Sequence, residues 1–176
     1  LLQRGPRRFA SWSWRAWEPP QGLCLPPDDG HLAEWCANLG GEVRLAGEQG
    51  RRSVQEHAQT LFPGGFLTTG VMADSGKACF AEGWTGSDPL RHQYAVAALP
   101  DDRTLLVLER CQVRHRAFLT AVKGLKLNVP NDLFNGGQRR YYTGSGAVVV
   151  AGTAHGLTEF PGRWVNVEDR LGVVGL

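Results

Sequence analysis

With 176 residues, 42% of them hydrophobic and 20% charged, the chain has the composition of a folded globular protein and length for a sizeable core. A net charge of +2, with no long Lys/Arg tract, does not recommend nucleic acid as a partner. No apolar run approaches the roughly 18 residues of a membrane span, and no signal peptide is visible, so a cytoplasmic and a secreted location both stay open.

The first element in chain order is the run Phe9 to Trp17, which alternates Trp12, Trp14 and Ala16 against Ser11, Ser13 and Arg15, the period of a half-buried strand. Arg4, Arg7 and Arg8 before it form a small basic excess expected at a solvated edge. Gln21 to Leu25 reads as a second strand, stopped by the turn formers Pro26 to Gly30. His31 to Asn38 fits either a helical turn or a strand, and Glu42 to Leu45 is short and β-like. Arg51 to Leu61 is polar and ambiguous, whereas Phe66 to Met72 is rich in Thr and Val and reads as β. Gly76 to Gly86 reads as a strand inside loops.

The clearest hairpin joins His92–Leu99 to Thr104–Arg110 through Pro100-Asp101-Asp102-Arg103. Phe118 to Leu127 predicts another strand with Gly124 as a bulge, and Asn128 to Gln138 is a loop. Arg139–Thr143, Ala147–Ala151, Arg163–Val167 and Leu171–Val174 complete the series. About a dozen short strands, little helix and no repeat predict an all-β, antiparallel β-sandwich. With no low-complexity linker, residues 1–176 read as a single β-sandwich domain. The only methionine, Met72, and the abrupt ends predict a fragment of a longer polypeptide with a neighbouring domain in the parent chain.

Motifs for common chemistries are missing: there is no H-E-x-x-H, G-x-S-x-G, P-loop or dinucleotide fingerprint, so no cofactor is implied and no catalytic residue is assigned. Cys24, Cys36, Cys79 and Cys111 lack metal-ligand spacing, so no metal is implied; their apolar neighbours suit reduced, core-like thiols, and in an exported protein the four could instead form two disulfides. His92 in its strand reads as a histidine satisfied by hydrogen bonds, and Ser145 as a turn residue.

The densest polar constellation is Asn128 to Gly146, carrying Asn131, Asp132, Arg139, Arg140, Tyr141 and Tyr142. Amides and guanidinium groups make bidentate hydrogen bonds to hydroxyls and carboxylates, and loops on rigid sheets are where binding residues gather. Trp17 and Trp84, close to loops, offer flat faces on which a sugar ring stacks, and His115 stands in a basic stretch.

Tyr142-Thr143-Gly144-Ser145-Gly146 resembles the tyrosine-threonine-glycine-aspartate-glycine segment in the large β-sandwich of chondroitin and hyaluronan lyases, with Ser145 in place of the aspartate. Arg7 to Ser13 resembles the arginine-rich lead into an aromatic strand of the same sandwich, and Phe160-Pro161-Gly162 a later turn. In those enzymes, as in heparinase-like lyases, the sandwich follows a helical toroid that supplies much of the cleft. The resemblance therefore implies a supersandwich-like module of a bacterial carbohydrate-active protein, a polysaccharide lyase or glycoside hydrolase. Its role would be scaffolding and contact with a polysaccharide or oligosaccharide. Two alternatives stand beside it. One is a free-standing β-sandwich enzyme acting on an acidic polysaccharide, with Tyr141 or Tyr142, His115 and Arg139 as its parts. The other is a structural interaction domain.

Overall fold

The computed structural model describes residues 1–16, 20–29, 32, 41–78, 90–113, 118–124, 137–151, 159–160 and 162–175. These residues form thirteen strands in four antiparallel sheets, with no α-helix among them, as the strand-and-turn pattern predicts.

The largest sheet is a meander of β5 (Gly47–Phe62), β6 (Gly65–Ala78), β7 (Leu90–Ala98) and β8 (Leu105–Val113). Its first turn is Pro63-Gly64, with Gly64 at φ 78°, a conformation that favours glycine. Its last turn is the expected Pro/Asp connection. There Asp101 Oδ1 accepts from the backbone N–H of Arg103 and Thr104, each at 3.0 Å, and Asp102 takes φ 54°. The ambiguous stretch Arg51–Leu61 lies entirely within β5. Its side chains are exposed from Gln55 to Leu61, so no apolar alternation marks it, and pairing to β6 makes it a strand. At 16 and 14 residues, β5 and β6 also correct the expectation of uniformly short strands.

A three-stranded sheet of β1 (Leu2–Arg4), β2 (Phe9–Ser13) and β3 (Gln21–Leu25) covers one face of this meander. Ala10 and Trp12, two apart on β2, are buried as the alternation requires, and Trp14 just beyond the strand joins them. They pack on Phe66, Met72, Tyr94, Val96 and Ala98. The rings of Trp12 and Trp14 meet edge to face at 5.4 Å, and Trp14 Nε1 donates to Thr68 Oγ1 at 3.0 Å. A methyl group at Gly70 would come within 2.7 Å of the Trp14 ring, so only glycine admits it there.

Arg8 departs from the expected solvated edge: it is 1% exposed. It donates to Gln3 Oε1 at 2.8 Å, to the Gly64 carbonyl at 3.3 Å and to the Thr104 carbonyl, tying β1 to both hairpin ends of the meander. A buried guanidinium is tolerable because several acceptors meet its donors.

Two further sheets complete the molecule. β4 (Glu42–Leu45) pairs with β9 (Leu119–Lys123), and Val43 and Leu45 pack against Leu90. β9 ends before Gly124, so the expected bulge there does not form; residues 125–127 of that predicted strand lie outside the described residues. β10 (Gln138–Thr143), β11 (Gly146–Ala151), β12 (Trp164–Val167) and β13 (Leu171–Val174) order as β11-β10-β12-β13. Tyr141, Val167 and Leu171 of this sheet pack with Leu23, Leu25 and Leu32. Ala10 pairs with Cys24 and Trp12 with Gly22, so Leu23 and Leu25 fall on the opposite face of β3 from the tryptophans. The small sheet is thereby covered on both sides. Cys24 and Cys111 are free thiols; Cys36 and Cys79 lie outside the described residues.

Candidate functional site

Two arrangements of polar side chains stand out, one sealed and one open. The sealed one begins with a bulge in β5. His57 pairs with Gly70 and Glu56 with Val71, but Val54, not Gln55, pairs with Met72. The extra residue, Gln55, reverses the alternation and brings Val54 and Arg52 onto the tryptophan-facing side of the sheet. There Arg52 meets Asp74 of β6 in a two-pronged pair at 2.7 and 3.2 Å. His92 of β7 reaches Asp74 Oδ2 through Nε2 at 3.2 Å and Glu109 Oε1 of β8 through Nδ1 at 2.8 Å. The Tyr94 hydroxyl accepts from Arg52 Nη1 at 3.1 Å and donates to Glu109 Oε1 at 2.8 Å. Gly41 closes the end, its N–H donating to Glu109 Oε2 and its carbonyl accepting from Arg52 at 3.0 Å.

His92 is fully buried and Tyr94 3% exposed. Burial works against the charged imidazole most strongly, yet hydrogen bonds with Asp74, Cys111 and Glu109 outweigh both it and the repulsion of Arg52, raising the pKa to about 10. Asp74 and Glu109 are likewise opposed by burial but held below their ordinary range by His92 and by their other donors. Burial, with the neighbouring carboxylates, pushes the Tyr94 phenol up. Two cations and two carboxylates thus balance in a closed group. Both ring nitrogens of His92 and the Tyr94 hydroxyl are taken up by partners within the buried cluster. The expectation of a hydrogen-bonded strand histidine is met, with two carboxylates as partners. The cluster is a structural tie across four strands.

The open arrangement lies on β10 and β12. Arg139 and Arg140, adjacent on β10, face opposite sides: Arg139 is 8% exposed on the covered face with Tyr141, which stacks on Phe160 at 5.1 Å. Arg140 and Tyr142 share the outer face, where a hydrogen bond to the Tyr142 hydroxyl raises the Arg140 pKa. Tyr142 pairs with Asn166 of β12, so Asn166 and Trp164, two residues before it, belong to the same face. Trp164 is 44% exposed. A methyl group at Gly144 would lie 4.0 Å from its indole nitrogen, and one at Gly146 or Gly172 would meet nothing within 4 Å among the described residues.

Asn166 Nδ2 donates weakly to Asp169 Oδ1 at 3.4 Å, while its buried Oδ1 accepts from no donor among the described residues. The β12–β13 turn holds Glu168 and Asp169 at φ 55° and 57°, a conformation that costs each residue on the order of 1 kcal/mol. Glu168 Oε1 accepts from the Arg140 N–H at 2.8 Å, and the Glu168 N–H donates to the Arg140 carbonyl at 2.9 Å, which clamps Arg140 in place. Thr143 Oγ1, 3.0 Å from Ser145 Oγ and 3.2 Å from its N–H, organises the β10–β11 turn, so Ser145 is the turn residue its setting suggests.

Comparison with known protein families, characterised proteins and solved structures gives no match to this chain. Of the sequence-derived candidates, Arg140 and Tyr142 come together, Arg139 and Tyr141 lie beneath them, and Asn131, Asp132, His115, Trp17 and Trp84 fall outside the described residues. Trp164 and Asn166 escape the sequence argument. Their strand was legible, but its pairing with β10, across an intervening stretch of chain, was not.

Proposed function

We propose that the chain is a β-sandwich module of a bacterial carbohydrate-active protein, a polysaccharide lyase or glycoside hydrolase, that scaffolds its parent and contacts an extended glycan on the outer face of β10 and β12. The observation that carries this reading is the gathering of Arg140, Tyr142, Trp164 and Asn166 on one open face. The Trp164 ring supplies an apolar surface for the C–H face of a sugar, and Tyr142 a second aromatic edge. Arg140 offers paired N–H donors to a hydroxyl or a uronate carboxylate. The lyase-like Tyr142–Gly146 segment falls at the rim of this face, which supports the same class.

Affinity electrophoresis through gels containing hyaluronan, chondroitin, alginate or xylan tests the reading. Retardation by one of these, lost in Trp164→Ala and weakened about tenfold in Arg140→Ala, is the expected result; a change of that size corresponds to about 1.4 kcal/mol. Equal mobility of wild type and both variants in every gel would remove the platform as a glycan site.

A further inference from the structure

Beside the bulge that turns Arg52 inward, the other side of the sheet carries a depression of about 430 Å³, lined by Glu56, Ala58, Thr69, Val71 and Gln93, with His57, Gly70 and Tyr94 in the row between them. The register places these five side chains on the face opposite the tryptophans, since Ala58 pairs with Thr69, and Val71 pairs with both Glu56 and Gln93. The volume is within the roughly 300–1,000 Å³ of small-ligand sites. It is separate from the Arg140–Trp164 face, which belongs to another sheet.

We propose that this depression binds one neutral sugar ring. Its chemistry favours that class over an ion. The Glu56 carboxylate is offset by Arg91, whose Nη2 lies 3.5 Å from Glu56 Oε1, so the site carries no large net charge. The Thr69 hydroxyl and the Gln93 amide, both exposed, are each able to donate and to accept. Such groups suit hydroxyls, which also do both. Val71, 7% exposed, and Ala58 give an aliphatic floor for the ring's C–H face. The described residues around it present no group of metal ligands, and no guanidinium cluster that would capture a phosphate.

Amide ¹H–¹⁵N spectra of the chain, titrated with methyl glucoside, methyl galactoside and glucuronate, test the proposal. Saturable shifts at Glu56, Thr69, Val71 and Gln93 with one of the neutral glycosides are expected. Gln93→Ala and Thr69→Val, both at exposed positions where folding survives, should each weaken that binding about three- to tenfold, the loss of one neutral hydrogen bond. Trp164→Ala should leave it unchanged, which separates this site from the glycan platform. No saturable shift with either glycoside, binding of glucuronate alone, or equal affinity in Gln93→Ala and Thr69→Val would overturn it.

Discussion

His92 Nδ1 lies 2.8 Å from Glu109 Oε1, and on the other side of the same ring Nε2 faces Asp74 Oδ2 at 3.2 Å. One imidazolium thus bridges β6 and β8 beneath the tryptophan layer. Its cost of desolvation is offset only while both carboxylates remain in register, which makes the cluster a sensitive reporter of sheet integrity.

A pH dependence follows from that bridge. The His92 pKa is raised from 6.5 to about 10, so its contribution to stability is complete below about pH 6.5 and is lost as pH rises toward 10. Asp74 and Glu109 are depressed below their ordinary 3.8 and 4.5, so theirs is complete above those values and lost as pH falls through the folded pKa values. Stability should therefore peak between about pH 4.5 and 6.5. Urea midpoints should drop by the equivalent of several kcal/mol between about pH 6 and pH 9.5, and His92→Gln should flatten that alkaline slope. An unchanged slope in the variant would place the titration elsewhere.

The bulge predicts an unusual deletion phenotype. Removing Gln55 sets Val54 next to Glu56 and leaves the pairs Glu56–Val71, Val54–Met72 and Arg52–Asp74 intact, so Arg52 stays on the inner face. The deletion should therefore cost far less than Arg52→Ala, which should lose about 3 kcal/mol because breaking a buried ion pair leaves an uncompensated charge. A deletion whose urea midpoint falls as far as that of Arg52→Ala would show that the bulge itself seats the guanidinium.

Trp12 and Trp14 should respond differently to the same change. Both are buried, but Trp14 Nε1 donates to Thr68 Oγ1, whereas Trp12 Nε1 has no partner among the described residues. Trp14→Phe forfeits a hydrogen bond and strands the Thr68 hydroxyl's acceptor side, while Trp12→Phe also removes a desolvated, unpaired donor. Trp12→Phe should be less destabilising by about 1 kcal/mol. Equal midpoints in chemical denaturation would mean the Trp12 nitrogen finds a partner in solution.

Much of the fold was legible because it is local. The alternation around Trp12, the Pro/Asp turn of the β7–β8 hairpin and the apolar runs each rest on a few neighbouring residues. The opposed facing of Arg139 and Arg140 was equally present in the sequence: on any strand, adjacent side chains part company. β5 was harder, since its exposed middle carries no apolar signal, and only the partner strand holds it extended.

The amino-acid sequence by itself determined an all-β chain, its aromatic core strand and most of its turns, because these follow from backbone preferences and a two-residue period. The tertiary structure alone decided that Arg52, Asp74, His92 and Glu109, from four strands, neutralise one another in the interior. It alone set Trp164 and Asn166 beside Arg140 and Tyr142. Both outcomes depend on strand register, and the first also on one inserted residue at Gln55. Those are long-range choices, settled by the summed burial of whole faces, and no short stretch of sequence contains them.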